Sequence, residues 1–273
     1  MSGTTEPELT AVILAAGLGS RMGALHGPKG LLEVGGRVLL EHQMRVLAAC
    51  GVARIVVVTG HQADRVEAAA AGLGLRTDIP VACARNPGFA DTGTAMSALI
   101  GLRAAAPGDA LLLEGDTLLT APSIIDAIGD RTEIRTLTDR RARWEQGSKI
   151  LTDGDGRVSD WLHSRHQGPG FSPEDATKTV NLTYLPAVGR SRLERVLAAA
   201  VCDLKAPLEF AFRDLALAGA RIWAIEMAGR AWCEIDDPDD LARARAMPAF
   251  RDPPASTGWV AFQTSEPGAP PAL

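Results

Sequence analysis

The sequence holds one tyrosine and four cysteines among 273 residues, and only 4% of it is aromatic. The cysteines, Cys50, Cys83, Cys202 and Cys233, form no C-x-x-C pair and have no histidine cluster beside them, which argues against a zinc site. Their scatter through apolar segments predicts reduced, buried thiols rather than a disulfide framework. A strong charge of either sign is also missing, since 28 Lys plus Arg face 33 Asp plus Glu for a formal net charge of −5. That balance argues against a general binder of nucleic acid or anionic membranes, so any phosphate site must be local. Long apolar runs are absent too. Met1 to Glu8 is polar and acidic, and the first apolar stretch stops at Gly17. Neither a signal peptide nor a membrane span is expected, and the protein reads as cytoplasmic.

What is present is enough apolar material, 46% of residues, to bury a sizeable core. The first half alternates strand and helix signals. Leu9 to Ala16, Arg54 to Thr59, Pro80 to Ala84 and Ala110 to Glu114 read as strands, and Val38 to Cys50, Gln62 to Ala71 and Thr94 to Ala105 as helices. Continuous apolar strands joined by helices predict a three-layer, Rossmann-like α/β fold with a mixed, mainly parallel sheet covered on both faces. Ligands of such sheets bind beyond the strand carboxyl ends, here the loops Gly17 to Gly30 and Gly115-Asp116-Thr117.

Past Thr132 the pattern changes. Lys149 to Thr152 and Arg157 to Leu162 flank Asp153-Gly154-Asp155-Gly156 and predict a hairpin; the acidic turn lacks calcium-loop spacing. A strand from Thr179 to Leu185, helices near Arg190 to Ala200 and Leu208 to Leu217, and a strand from Arg221 to Glu226 follow. A last helix, Pro238 to Ala246, has Asp237 as its N-cap. The organisation is one domain over residues 1–246, including a small acceptor-side subdomain, and a Pro-rich tail over 247–273.

The informative segment runs from Ala11 to Arg37. A strand leads into Gly17-x-Gly19-Ser20-Arg21-Met22, where glycines admit a polyanion to backbone N–H groups and Arg21 can neutralise it. The Lys29 that follows Pro28 has no Ser or Thr after it, so this is not a Walker loop; the dinucleotide fingerprint fails for want of its third glycine. A tight turn without a ligand would also use glycines. Two cations on one glycine-rich connection favour an anion between them.

Leu14 to Met22 with Pro28-Lys29 resembles the L-A-A-G-x-G-(S/T)-R-M … P-K signature of nucleotidyltransferases that join a nucleoside triphosphate to a phosphorylated small molecule. The resemblance implies that the loop, with Gly19, Ser20 and Met22, wraps the triphosphate, that Arg21 and Lys29 bind its phosphates, and that the main chain of Leu14, Ala15, Ala16 and Gly17 meets the base. Nucleotidyl transfer calls for a divalent cation, and Mg²⁺ takes carboxylate oxygens. Asp116 ends an apolar strand, and alternation in Trp232-Cys233-Glu234-Ile235-Asp236 sets Glu234 and Asp236 on one face. By resemblance Asp116 and Asp236 are the paired metal ligands with Glu234 in support; helix capping is the competing use of Asp236, and Glu114 stays open.

A narrower resemblance concerns cytidylyltransferases acting on phosphocholine and small phosphonates. Lys178-Thr179-Val180-Asn181-Leu182 is similar to their K-T-(V/I)-N-I-Y, WCEIDDPDDL to their W-Y-E-I-D-x-x-x-D-L, and Asn86-Pro87-Gly88-Phe89 with Thr92-Gly93 and Ser97 to their N-P-x-(Y/F) loop. This implies CTP rather than dTTP or GTP. Thr183 and Cys233 stand where that family has tyrosine, and without rings a quaternary ammonium loses its cation–π box. Choline is thereby disfavoured and a small phosphonate, such as 2-aminoethylphosphonate, or another phosphomonoester favoured.

Its anion would meet Lys178, Lys149, Arg140 or Arg141, with Asn181 and Glu234 in the same subsite, and an amine would meet Asp237 or Asp239. Solvated strand edges are the competing use of the two lysines. Trp144, Trp161 and Trp232 either rebuild a ring pocket or fill the core. The expectation is an Mg²⁺-dependent transferase with no nucleic-acid or membrane partner, with a homodimer left open. Rival readings are a phosphocholine cytidylyltransferase, a sugar-1-phosphate or molybdopterin-type nucleotidyltransferase, and a nucleotide-sensing module without chemistry.

Overall fold

The structure, a computed structural model, describes residues 8–23 and 27–251. In chain order the first half consists of β1 (Leu9–Ala15), β2 (Glu33–Val34), β3 (Arg37–Val38), α1 (Leu39–Ala49), β4 (Arg54–Thr59), α2 (Ala63–Thr77), β5 (Val81–Arg85), α3 (Thr94–Ala104), β6 (Asp109–Glu114), β7 (Thr117–Leu119) and α4 (Ala121–Ile128). The second half consists of β8 (Ile134–Asp139), β9 (Lys149–Thr152), β10 (Val158–Leu162), β11 (Ala176–Leu185), α5 (Ala187–Ala200), α6 (Leu208–Leu217), β12 (Ile222–Glu226), β13 (Trp232–Glu234) and α7 (Pro238–Ala246).

A nine-stranded mixed sheet runs β10-β9-β11-β6-β1-β4-β5, with β8 pairing β11 and β12. β6, β1, β4 and β5 are mutually parallel, so their carboxyl ends open on one edge. β11 enters antiparallel to β6, β8 and β9. One face packs Val12, Val56 and Leu112 beneath α3, α5 and α6; the other packs Ile13, Ile55 and Leu113 beneath α1, α2 and α4. This is the expected three-layer α/β arrangement.

A third, smaller core matters more for the site. Met22, Leu32, Leu118, Ile235, Leu241 and Phe250 pack together, tying the glycine loop to β7, β13 and α7. Phe250 is buried there, so residues up to it rest on the body; the Trp259-to-Phe262 stretch of the expected tail lies outside the described residues.

Some expectations need correcting. α2 runs on to Thr77, because Gly74 packs against Val81 rather than ending the helix, and Asp78 stops it in a left-handed conformation at φ 53°. α4 had no reading in the sequence: it is eight residues long and carries Pro122 in its first turn. The thiols are free, as expected, but only Cys233 is buried and Cys83 and Cys202 are exposed. Cys83 lies on β5 at the end of the sheet path, where one flank lacks a strand neighbour among the described residues.

Candidate active site

The site is built on the carboxyl ends of β1 and β6. After β1 the chain turns through Gly19, whose left-handed φ of 62° starts the Ser20–Met22 turn. A side chain at Gly19 would meet Lys29 Cγ at 3.2 Å, so the glycine leaves room for the lysine stem. Met22 is buried in the third core and anchors the loop, while Arg21 is exposed and free to reach inward.

The β6–β7 turn is held from behind. Buried Gln43 of α1 donates to the carbonyls of Glu114 at 2.8 Å and Thr117 at 2.9 Å, and Gly115 N–H donates to Leu14 O at 2.9 Å. β13 pairs with β7 so that Glu234 stands opposite Thr117, and Ile235 N–H donates to Asp116 O at 3.0 Å. That short ladder brings the distant C-terminal acids to Asp116.

The result is an interlocked charge cluster. Lys29 Nζ donates to Asp116 Oδ2 at 2.9 Å and to Asp236 Oδ1 at 2.7 Å, and Arg21 reaches Asp236 at 2.8 Å. Lys178 Nζ donates to Glu234 Oε2 at 2.7 Å, above the Trp232 ring. Asn181 Nδ2 donates to Glu234 at 3.0 Å and Glu114 at 3.3 Å, while its oxygen accepts from Thr179 at 2.9 Å. Asn181 has φ 57° at a register break in β11. Bulged strands re-aim side chains, and asparagine tolerates left-handed backbone better than most residues.

Burial pushes the Glu114 carboxyl well above the ordinary range, reinforced by Asp116, Glu209 and Glu234. Burial also raises Glu234, with Lys178 opposing and Asp116 adding to the rise. For Asp236 burial alone would act the same way, but the hydrogen bond and charge of Lys29, with Arg21, outweigh it and hold the group low. Burial likewise works against the charge on Lys29, and Asp116 and Asp236 outweigh it to raise the lysine.

Glu114, Asp116 and Glu234 each place a carboxylate oxygen within 4.8 Å of the others. Asp116 Oδ1 is buried without a hydrogen-bond partner among the described residues. A buried orphan oxygen beside two further carboxylates fits a hard divalent cation such as Mg²⁺. Sequence reasoning paired Asp116 with Asp236; the structure joins those two through Lys29 and groups Asp116 with Glu114, which had been left open, and Glu234.

Two adjoining cavities share Lys29, Gly93, Thr94, Glu114 and Asp116. The first, about 160 Å³, is walled by Leu14, Ala15, Ala16, Gly17 and Gly19 on one side and Phe89, Thr92, Gly93 and Ser97 on another. Asn86 does not line it; its amide donates to Thr92 at 2.9 Å and Ser97 at 3.1 Å and so shapes the wall. Ser20 lies on the exposed turn and Met22 beneath it, and neither lines this cavity. The second, about 670 Å³, is lined by Arg21, Asp236, Lys178, Asn181, Glu234, Glu209, Lys205, His163 and the Gln146–Ser148 segment.

The structure brings Arg21, Lys29, Asp116, Glu234, Asp236, Lys178 and Asn181 together but keeps other expected contacts out. Lys149 is buried behind the wall, donating to the carbonyls of Glu145 at 2.6 Å and Gly147 at 3.2 Å. Arg140 and Arg141 line neither cavity, and Arg140 is engaged by Glu226 and Glu174. Asp237 caps α7, accepting from Asp239 and Asp240 N–H at 2.9 Å each, and Asp239 is exposed on that helix. Tyr184 is fully buried against Asp109, and Trp161 stacks on Phe212 in the core. Glu209, Lys205, Ser148 and His163 were missed: none belongs to a motif, and an acid in a helix first turn reads as dipole complementation.

Comparison with known proteins agrees with this architecture. Residues 11–151, over half of the chain, match the MobA-like NTP transferase domain. The CMP-5'-(3-aminopropyl)phosphonate synthase of Streptomyces rubellomurinus is 32% identical over 250 residues, which is 86% of this chain and 38% of that protein. The chain thus spans about two fifths of that relative's length. The CTP:phosphocholine cytidylyltransferase of Streptococcus pneumoniae superposes with a TM-score of 0.69 at 18% identity, covering 87% of this chain and 98% of that one. The inositol-1-phosphate CTP transferase of T. maritima gives 0.70 at 18% identity, covering 88% and 97%. At these identities the two superpositions speak to fold. The glycine loop, the parallel strands that carry it and Asp116 all fall inside the matched stretch, and the chain belongs to the MobA-like NTP transferase domain family.

Proposed function

We propose that the protein transfers CMP from CTP to a small phosphonate, with release of pyrophosphate. The observation that carries this reading is the junction of the two cavities at Lys29 and Asp116, where the groove under the glycine loop meets a larger chamber. The glycine loop and the Asn86-supported wall would hold the nucleoside, and Arg21 and Lys29 the triphosphate. Mg²⁺ held by Asp116 with Glu114, Glu234 or Asp236 would screen charge on the phosphates.

A phosphonate oxygen, already ionised at neutral pH, attacks the α-phosphorus. The new P–O bond forms as the bond to the β-phosphoryl oxygen breaks, and pyrophosphate carries away the electron pair. No general base is required. The side chains contribute position and charge neutralisation.

The acceptor chamber supports a phosphonate over choline. Its described lining includes His163 but no Trp, Tyr or Phe, so a quaternary ammonium finds no ring box there. The relation to a CMP-aminopropylphosphonate synthase points the same way. The test is a panel of CTP, UTP, GTP and dTTP against aminoethyl- and hydroxyethylphosphonate, phosphocholine and a sugar 1-phosphate, read by pyrophosphate. Turnover with CTP and a phosphonate is expected. Preference for a sugar 1-phosphate, or tight nucleotide binding without turnover, would replace this reading with one of the rivals.

A further inference from the structure

The charges facing the acceptor chamber do not cancel locally. Arg21 and Lys29 are committed to Asp236 and Asp116, and Lys178 to Glu234, while Lys205, the fourth cation of the lining, makes no ion pair with a carboxylate among the described residues. Glu209, on the first turn of α6, has no cationic partner among the described residues; its one hydrogen bond comes from Ser148 Oγ at 2.7 Å. Ser148 is itself buried and also lines the chamber, so this bond fixes the direction of the carboxylate without neutralising it.

Glu209 also lines a second, smaller space. Together with Glu114 and Asn181 it borders a small apolar recess of about 20 Å³ floored by Leu14, Trp161 and Phe212. An unpaired carboxylate beside an apolar floor attracts a cation more strongly than the same group in open water. The recess is too small for a trimethylammonium head, and the Trp161 ring is already stacked on Phe212 with centroids 4.5 Å apart. A primary ammonium, with three N–H donors, suits a carboxylate that still has acceptor capacity.

We propose that Glu209 is the specificity-determining residue of the acceptor chamber, receiving the primary ammonium of an aminoalkyl acceptor. This rests on the phosphonate reading above. It replaces Asp237 and Asp239, which the sequence suggested for an amine and which the fold commits to α7.

The experiment compares kcat/KM for 2-aminoethylphosphonate and 2-hydroxyethylphosphonate in the wild type, Glu209→Gln and Ser148→Ala. The two acceptors differ in one terminal group, so their ratio isolates the charge contact from any general effect on folding or CTP binding. The wild type should favour the amine by ~10- to 100-fold, as expected for a charge-assisted hydrogen bond. In Glu209→Gln, whose amide oxygen can still accept from Ser148, the ratio should fall towards one, chiefly through KM for the amine. Ser148→Ala, which only loosens the carboxylate, should lower the ratio by less.

A wild-type ratio near one, or an undiminished ratio in a Glu209→Gln protein that melts cooperatively, overturns the assignment and leaves the phosphonate reading standing. A wild type that uses neither phosphonate but does use a sugar 1-phosphate overturns both. Should Glu209→Gln fail to fold, an undiminished ratio in a folded Ser148→Ala protein refutes the proposal, and a lowered one supports it.

Discussion

Lys29 Nζ lies 2.7 Å from Asp236 Oδ1, although the two residues are 207 positions apart in the chain. The same ammonium also holds Asp116, so one lysine closes a site assembled from the glycine loop, the β6–β7 turn and the C-terminal β13 ladder. The buried orphan oxygen of Asp116 marks where a further cation would add to it.

Replacing either end of that contact should stop chemistry without unfolding the chain. Asp116→Asn and Lys29→Ala should each lower kcat/KM by about 10²-fold or more, the scale of losing an electrostatic stabiliser at a reacting centre. Lys29→Ala strips Asp116 of its ammonium and leaves Asp236 with only the exposed Arg21, and should lower Tm more than Asp116→Asn does. Pyrophosphate assays and thermal melts check both.

Asn181 offers a test that separates backbone from side chain. Its φ of 57° favours glycine over alanine, so Asn181→Ala should be less stable than Asn181→Gly by about 1 kcal/mol. Both lose the amide that holds Glu114 and Glu234, so both should bind Mg²⁺ more weakly. Denaturant melts and metal titration read the two effects independently.

Metal affinity should rise with pH. Glu114 and Glu234 are held above the ordinary carboxylate range, mainly by burial, so part of their population stays protonated where exposed carboxylates are ionised. A cation needs them ionised, so binding releases protons and tightens as pH increases. Calorimetry in two buffers of different ionisation enthalpy should detect that release, and Glu114→Gln should reduce it.

Lys149 gives a stability signature of opposite character to a salt bridge. Burial, with the charge of Lys178 adding, pulls it from the ordinary 10.5 to about 8. The unfolded chain therefore binds the extra proton between those values, and stability contributed by this group rises with pH across that window. Below pH 8 the protonated lysine costs at most about 3 kcal/mol relative to an unshifted one. Lys149→Met should flatten the rise, as read by urea midpoints from pH 7 to 10.

Met22 tests whether the small third core positions the nucleotide loop. Met22→Ala removes a fully packed side chain next to Leu118 and Ile235 and should cost about 2–4 kcal/mol. Because the loop is anchored there, KM for CTP should rise while the acceptor KM moves less.

Much of this site could be read in the sequence because its motifs are local. Leu14 to Lys29 sits on one connection, and alternation alone set Glu234 and Asp236 on one face, with Ile235 buried behind them. In the first half β1, β4, β5, β6 and α1 to α3 follow from apolar periodicity, whereas α4 and the short β2, β3 and β7 do not. What could not be read depends on register and on distant pairing. The bulge at Asn181, the β7–β13 ladder and the burial of Lys149 behind the Gln146–Ser148 segment are set by tertiary packing rather than by local composition. Glu209 was hidden for the same reason: only the hydrogen bond from Ser148, 61 residues away, reveals which way it faces.

The most direct test is ³¹P NMR of the protein with CTP, Mg²⁺ and 2-aminoethylphosphonate. The account predicts coupled resonances of a phosphonate–phosphate anhydride appearing in step with equimolar pyrophosphate, and almost none with Asp116→Asn. Intact CTP in the wild-type sample, or equal product from folded Asp116→Asn, would contradict it.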